Sequence, residues 1–229
     1  GYGRSAKPDH LGPDAYAKRT MARDQIALMR ALGFDRFSLA GHDRGGRVAY
    51  RLALDHPEVV DRLVLLDILP SAVMWERANA VSAMRGYHWY FMAQPEPFPE
   101  HMIGLDPAFF MRWKLRQWAA GGFEFDPECL VDYLACFDDP TCIHAACEDY
   151  RAGWTFDRQH DEEDRGVRTI AAPTLLLWGA EYSLATTDPI AAWREWTDDL
   201  RGYVVPGGHF LAEEAPDEVV RHLRTFLTS

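Results

Sequence analysis

The sequence predicts an α/β fold: a mostly parallel sheet covered by helices on both faces, interrupted by an inserted helical cap. Three observations carry this reading. Short, wholly apolar runs at 63–66 and 174–178 alternate with helical patterns, and a strand that is apolar on both faces belongs in a parallel sheet buried on both sides. The runs stop abruptly at Gly41, Asp67, Gly179 and Pro206, as strands do when they enter tight turns. Between Pro70 and Arg165 the texture changes, with most tryptophans and phenylalanines gathered in helical patterns and no convincing strand.

Taken in order, Ala22, Ile26, Met29 and Leu32 recur at helical spacing and Gly33 follows as a cap, which predicts a helix over 15–32. Residues 37–40 form a short apolar strand ending at Gly41. After Gly46 a second helix, with Val48, Leu52 and Ala53 inward, runs to the Pro57 stop. Strands follow at 63–66, 174–178 and 203–205, the last ending in Pro206-Gly207-Gly208. A charged stretch at 157–168 closes the insertion, and a C-terminal helix carries Val219, Leu223 and Phe226 on one face. The expected division is a first core segment at 1–69, a helical cap at 70–165 and a second core segment at 166–229. There is no internal repeat and no low-complexity tract.

Composition narrows the function. With 229 residues, 48% hydrophobic and 26% charged, the chain reads as globular rather than disordered or fibrous. A formal net charge of -11, with no run of Lys or Arg, argues against nucleic acid. An anionic substrate would need a local cationic pocket. No stretch is long and apolar enough for a membrane span, and the first residues hold no apolar signal core, so a cytoplasmic location away from membranes is expected. Cys129, Cys136, Cys142 and Cys147 have no C-x-x-C spacing, and the histidines never pair at i, i+4 beside an acidic set. Free buried thiols, no metal and no cofactor are expected.

The chemistry concentrates at Gly41-His42-Asp43-Arg44-Gly45, a G-x-nucleophile-x-G turn between a strand and a helix, with aspartate in the nucleophile position. Glycines two residues either side are expected where the turn brings backbone close. His209, on the Gly-Gly-His loop after the last strand, completes the order nucleophile, acid, histidine of an α/β-hydrolase fold. The orienting acid has two candidates, Asp67 and Glu181, of which Asp67 is favoured. Aspartate decides the reaction type: a carboxylate attacking a saturated carbon leaves an ester that water can cleave, whereas a serine would leave a stable ether. Substitution at an sp³ carbon is predicted, with His209 activating the hydrolytic water. Arg44 and Arg47 lie one helical turn apart beside Asp43, so two guanidinium forks can face one small carboxylate. Ile143, Ala146, Cys147 and Tyr150 fall on one helical face, turning Tyr150 inward.

At GHDRGGR, LLDILP, HWYF, HxxCxDYRAG and PGGHF the chain resembles the fluoroacetate (haloacetate) dehalogenases over essentially its whole length. The resemblance implies Asp43 as nucleophile, Asp67 as acid and His209 as base. It implies Arg44 and Arg47 as carboxylate ligands and His88, Trp89 and Tyr150 as donors to the departing halide. It also implies a homodimer, with a small haloacetate and water as the partners. An intact member has further strands and an HG-x-P loop upstream of the segment matching residues 1–5. The chain alone is therefore expected to lack one oxyanion donor and to leave strand 37–40, central in a complete sheet, bare on one side and prone to aggregate. Two rival readings stand beside this one. An aspartate-nucleophile epoxide hydrolase would use Tyr87, Tyr90 or Tyr150 as acids, but leaves two buried arginines unmatched. A non-catalytic ligand receptor on the same scaffold has no need of a complete triad.

Overall fold

Alternating apolar side chains on a buried strand must find cover on both faces, and here they do. The computed structural model describes residues 1–8 and 12–228. After α1 (Lys18–Ala31) come β1 (Phe37–His42), α2 (Asp43–Asp55) and β2 (Val60–Leu66). Eight helices then intervene before β3 (Thr174–Gly179): α3 (Ser71–Glu76), α4 (Ala80–Arg85), α5 (Tyr87–Met92), α6 (Phe98–Gly104), α7 (Pro107–Trp118), α8 (Pro127–Phe137), α9 (Pro140–Ala152) and α10 (Arg158–Asp164). The chain closes with α11 (Pro189–Arg194), β4 (Leu200–Val205), α12 (Leu211–Glu214) and α13 (Pro216–Leu227). The four strands are parallel, in the order β1-β2-β3-β4.

Leu63 and Leu65 of β2 pack with α1, α2 and the buried Trp193 and Trp196 on one face of the sheet. Val64 and Leu66 pack with Leu175, Leu177, Leu211, Val219 and Phe226 on the other. The helices between β2 and β3 hold a separate apolar core around Trp89, Ile103, Phe137 and Tyr150. All four residues of the predicted α9 stripe, Ile143, Ala146, Cys147 and Tyr150, are buried there.

Three expectations need correction. Helix α2 starts at Asp43, not after Gly46, because the turn out of β1 is itself the first helical turn. Strand β4 starts at Leu200 rather than 203: it is an edge strand with alternating exposure, so its first half lacks the apolar run of a central strand. The thiols are all free, yet only Cys142 and Cys147 are buried; Cys129 is exposed on α8. Strand β1 is the other edge of the sheet among the described residues. No described helix is long and apolar enough to cross a membrane.

Buried charge ties the sheet layer to the helices above it. Asp161 of α10 is fully buried, accepting from Arg51 Nη2 at 2.8 Å, Tyr50 Oη at 2.8 Å and the Ala72 backbone at 3.0 Å. The predicted charged stretch is thus partly an internal clamp, with Asp157, Asp161 and Asp164 all buried.

Candidate active site

Strand register brings the site together. His42 lies beside Leu66 and Leu66 beside Leu177, so the residues that follow β1 and β2 emerge next to one another at the carboxyl ends of their strands. Those residues are Asp43 and Asp67, and both have positive φ, 45° and 52°. That conformation is strained for a non-glycine residue and persists where the surroundings enforce it. At the first turn the enforcement is steric. A Cβ on Gly41 would lie 2.6 Å from the Gly45 oxygen, and one on Gly46 would lie 2.8 Å from Ile68 Cδ1. Gly45 has open space around it, so the second glycine the turn requires is Gly46 rather than the expected Gly45.

His209 must reach Asp67 across the end of β3, and Gly179 lets it pass: a Cβ there would fall 1.9 Å from the Gly208 oxygen. The loop is then held by Glu214, whose carboxylate accepts from the Gly208 and Phe210 backbones at 2.7 and 2.8 Å. His209 Nδ1 sits 2.6 Å from Asp67 Oδ2, and Asp67 Oδ1 accepts from the Gly179 backbone at 3.2 Å. On the other side of the ring, Nε2 is 3.6 Å from Asp43 Oδ2. Glu181, the alternative acid, is exposed and accepts from the Gly121 backbone at 3.4 Å instead.

These contacts set the charge states. Burial alone would strip the proton from His209, but the carboxylates of Asp43 and Asp67 outweigh it and lift the imidazole to about 9. Burial likewise opposes ionisation of Asp43, and His209 reverses this, holding that carboxyl well below the usual range.

Arg44 and Arg47 are both drawn inward rather than lying on the surface. Arg44 donates its Nε to Asp149 Oδ2 and its Nη2 to the Asp149 carbonyl at 2.7 Å, and its guanidinium lies 4.3 Å from the Tyr150 ring centroid. Arg47 donates Nη1 to the Leu69 carbonyl and Ser71 Oγ at 3.0 and 3.1 Å, over the Trp89 ring at 4.4 Å. The expected pair of open forks is therefore a pair of pinned ones. Each keeps one buried nitrogen without a partner among the described residues, Nη1 on Arg44 and Nε on Arg47. Asp149, which the sequence reading missed, orients Arg44 and is itself gripped by Lys18 of α1. Its only sequence signal is its place beside Tyr150 in the HxxCxDYRAG motif.

His88, Trp89 and Tyr150 converge from α5 and α9, all buried. The rings of His88 and Trp89 meet Tyr150 edge-on at 5.6 and 5.7 Å. His88 Nδ1 has no partner among the described residues, and burial keeps this imidazole neutral, well below its ordinary value. Trp118 and Tyr182 were also missed: their rings lie 5.7 and 4.6 Å from His209 and wall it in. Two chambers meet at Asp43, His88 and Trp118. One, of about 450 Å³, adds Arg47, Asp67, Trp89 and His209; the other, of about 540 Å³, adds Arg44, Lys114 and Tyr150.

Residues 1–216 match the model of the alpha/beta hydrolase fold family. The chain is 44% identical to the fluoroacetate dehalogenase of a Burkholderia species, over all of this chain and 76% of that protein. It is 29% identical to a soluble epoxide hydrolase of Corynebacterium sp. (strain C12), over 96% of this chain and 75% of that one. A crystal structure of a protein assigned to the alpha/beta hydrolases, from Nostoc sp PCC 7120, superposes with a TM-score of 0.95 at 44% identity, covering 99% of this chain and 78% of the other. Matched to the family model over residues 1–216 and 44% identical to that enzyme, the chain belongs to the α/β-hydrolase fold family, as a relative of the fluoroacetate dehalogenase.

Proposed function

We propose that the protein hydrolyses haloacetates, fluoroacetate or chloroacetate, to glycolate and halide. The observation that carries this reading is the pair of buried arginines beside Asp43, each with one unpartnered nitrogen. A neutral substrate would leave the Arg47 guanidinium, which has no carboxylate partner among the described residues, buried and uncompensated, and would leave Arg44 Nη1, beyond its ion pair with Asp149, without an acceptor. A carboxylate one bond from the reacting carbon would match both and place that carbon against Asp43. The arginine pair disfavours the epoxide reading, and so does the placement of the tyrosines: Tyr87 and Tyr90 line an outer groove, and among the three candidates only Tyr150 lines a chamber containing Asp43.

In the first step an Asp43 oxygen attacks the carbon bearing the halogen, forming the ester C–O bond as the carbon–halogen bond breaks. His88, Trp89 and Tyr150 would receive the halide through preorganised donors. The ester no longer carries the Asp43 charge, so one of the two carboxylates that lift His209 is lost. Its pKa falls from about 9, the ring gives up its proton to solvent water, and the neutral imidazole becomes the base that takes a proton from the water attacking the ester carbonyl; the tetrahedral oxyanion then collapses, breaking the acyl C–O bond to restore the Asp43 carboxylate while the imidazolium protonates the departing glycolate oxygen. The Arg44 backbone N–H, at the start of α2, is positioned in sequence to serve the resulting oxyanion. Asp67 would keep His209 oriented throughout.

The test is to trap the ester. His209→Ala incubated with chloroacetate should gain the mass of a carboxymethyl group on Asp43, read by intact-mass and peptide mass spectrometry. If the variant binds substrate yet gains no mass, the covalent mechanism is wrong.

A further inference from the structure

A lysine buried in a helical layer ordinarily has a carboxylate beside it, because an unpaired ammonium is costly to remove from water. Lys114 on α7 has none among the described residues. It is 2% exposed, its Nζ donates to Gln117 Oε1 at 3.2 Å, and its charge sits 3.5 Å from the Tyr87 ring centroid and 5.2 Å from that of Trp118. Burial alone brings the amine down to about 7. Ring faces attract a cation but do not neutralise it.

Lys114 lines the same 540 Å³ chamber as Asp43, Arg44 and His88. Arg44 spends much of its charge on Asp149, which leaves Lys114 as the uncommitted cation of that space. His88 contributes a second unsatisfied group, a Nδ1 with no partner on a side chain only 5% exposed. The same histidine also lines the chamber that holds Trp89, Arg47 and His209. A small anion lodged at His88 would therefore border both chambers.

We propose that Lys114, with His88, forms a second anion site, a holding station that takes the halide from the reaction centre and keeps it from returning to Asp43. This rests on the reading of the reaction as halide-releasing. An anion beside Lys114 would offset the burial penalty and favour the ammonium form. Lys114 is positioned for the product rather than for the substrate carboxylate, which is matched by the two arginines.

The experiment reads halide binding to the resting protein, without turnover. Bromide quenches indole fluorescence, and Trp118 lies against Lys114, so a bromide titration at constant ionic strength should show saturable quenching. Lys114→Met should weaken bromide binding about tenfold or more, the range for losing a charged hydrogen-bond partner. Lys114→Arg, which keeps the charge, should bind within about threefold of the native protein. Thermal melts of both variants identify any loss of fold, and Lys114→Gln replaces Lys114→Met if the latter does not fold. Native-like bromide affinity in the folded neutral variant overturns the proposal, as does the absence of saturable quenching in the native protein. An acetate titration is run alongside: if the neutral variant loses acetate affinity but not bromide affinity, the site holds carboxylates and the halide assignment fails. Dehalogenation with Lys114-independent halide binding would sink this proposal alone; Lys114-dependent bromide binding without dehalogenation would sink the proposed function alone.

Discussion

At the scale of single residues, the charge state of Asp43 is set against burial first by His209, with His42 and Arg44 acting in the same direction. His209 holds the Asp43 carboxyl below the usual range against a burial effect that acts the other way. In the native protein, single-turnover alkylation by chloroacetate should therefore stay level as the pH falls from 7 to 5. In His209→Ala burial is unopposed by the imidazolium, the Asp43 carboxyl titrates higher, and the alkylation rate should drop over the same interval. Rapid-quench mass spectrometry follows both. A parallel fall in the two proteins would mean that His209 does not set the ionisation of Asp43. Arg47 offers a second check. Its guanidinium bonds the Leu69 carbonyl and Ser71 while stacking on Trp89, and still has Nε to offer. An ammonium cannot do all three at once, so Arg47→Lys should lower kcat/KM for haloacetate by about 10- to 100-fold. Unchanged kinetics would remove Arg47 from the site.

At the scale of elements, the turn from β1 into α2 separates two glycines that look equivalent in sequence. Gly41→Ala drives a methyl into the backbone of Gly45 and Gly46, so it should displace Asp43 and abolish turnover. Gly45 lies within α2, is exposed, and would give a methyl group open space. Gly45→Ala should then stabilise the helix by about 0.5–1 kcal/mol with activity kept. Denaturant melts and halide release distinguish the two outcomes, and equal damage from both substitutions would show that the turn is not held by the close approach at Gly41.

At the scale of the whole molecule, the reaction centre is a joint between two layers. Asp43, Asp67 and His209 come from the segments that follow the carboxyl ends of β1, β2 and β4, while His88, Trp89 and Tyr150 come from α5 and α9. Their alignment depends on what fixes the helices over the sheet, and Asp161 is central to that, joining α10 to Arg51 and Tyr50 of α2 and to the start of α3. Asp161→Ala leaves Arg51 without one of its carboxylates and Tyr50 and Ala72 without an acceptor. It should cost about 3–5 kcal/mol, which in a chain of this length is on the order of 10 °C in Tm. Calorimetry reads the loss; a Tm within about 2–3 °C of the native value would mean that the clamp carries little of the stability.

The sequence by itself determined the parallel sheet, the helical insertion and the turn at Asp43, because each is written in local pattern. Apolar runs, glycine positions and the order of strand ends depend on neighbours a few residues away. It also placed Arg44 and Arg47 on one helix face, a consequence of helical pitch. Tertiary structure decided the rest. That Gly46 and not Gly45 carries the close approach depends on Ile68, which lies on the far side of β2 in the chain yet in contact. That the arginines are pinned depends on Asp149 and Ser71, that the histidine loop is held depends on Glu214, and that Lys114 is buried without a carboxylate depends on how α7 meets α5. Such partners are chosen by the folding of distant segments onto one another, and no spacing rule along the chain encodes which buried charge will meet which.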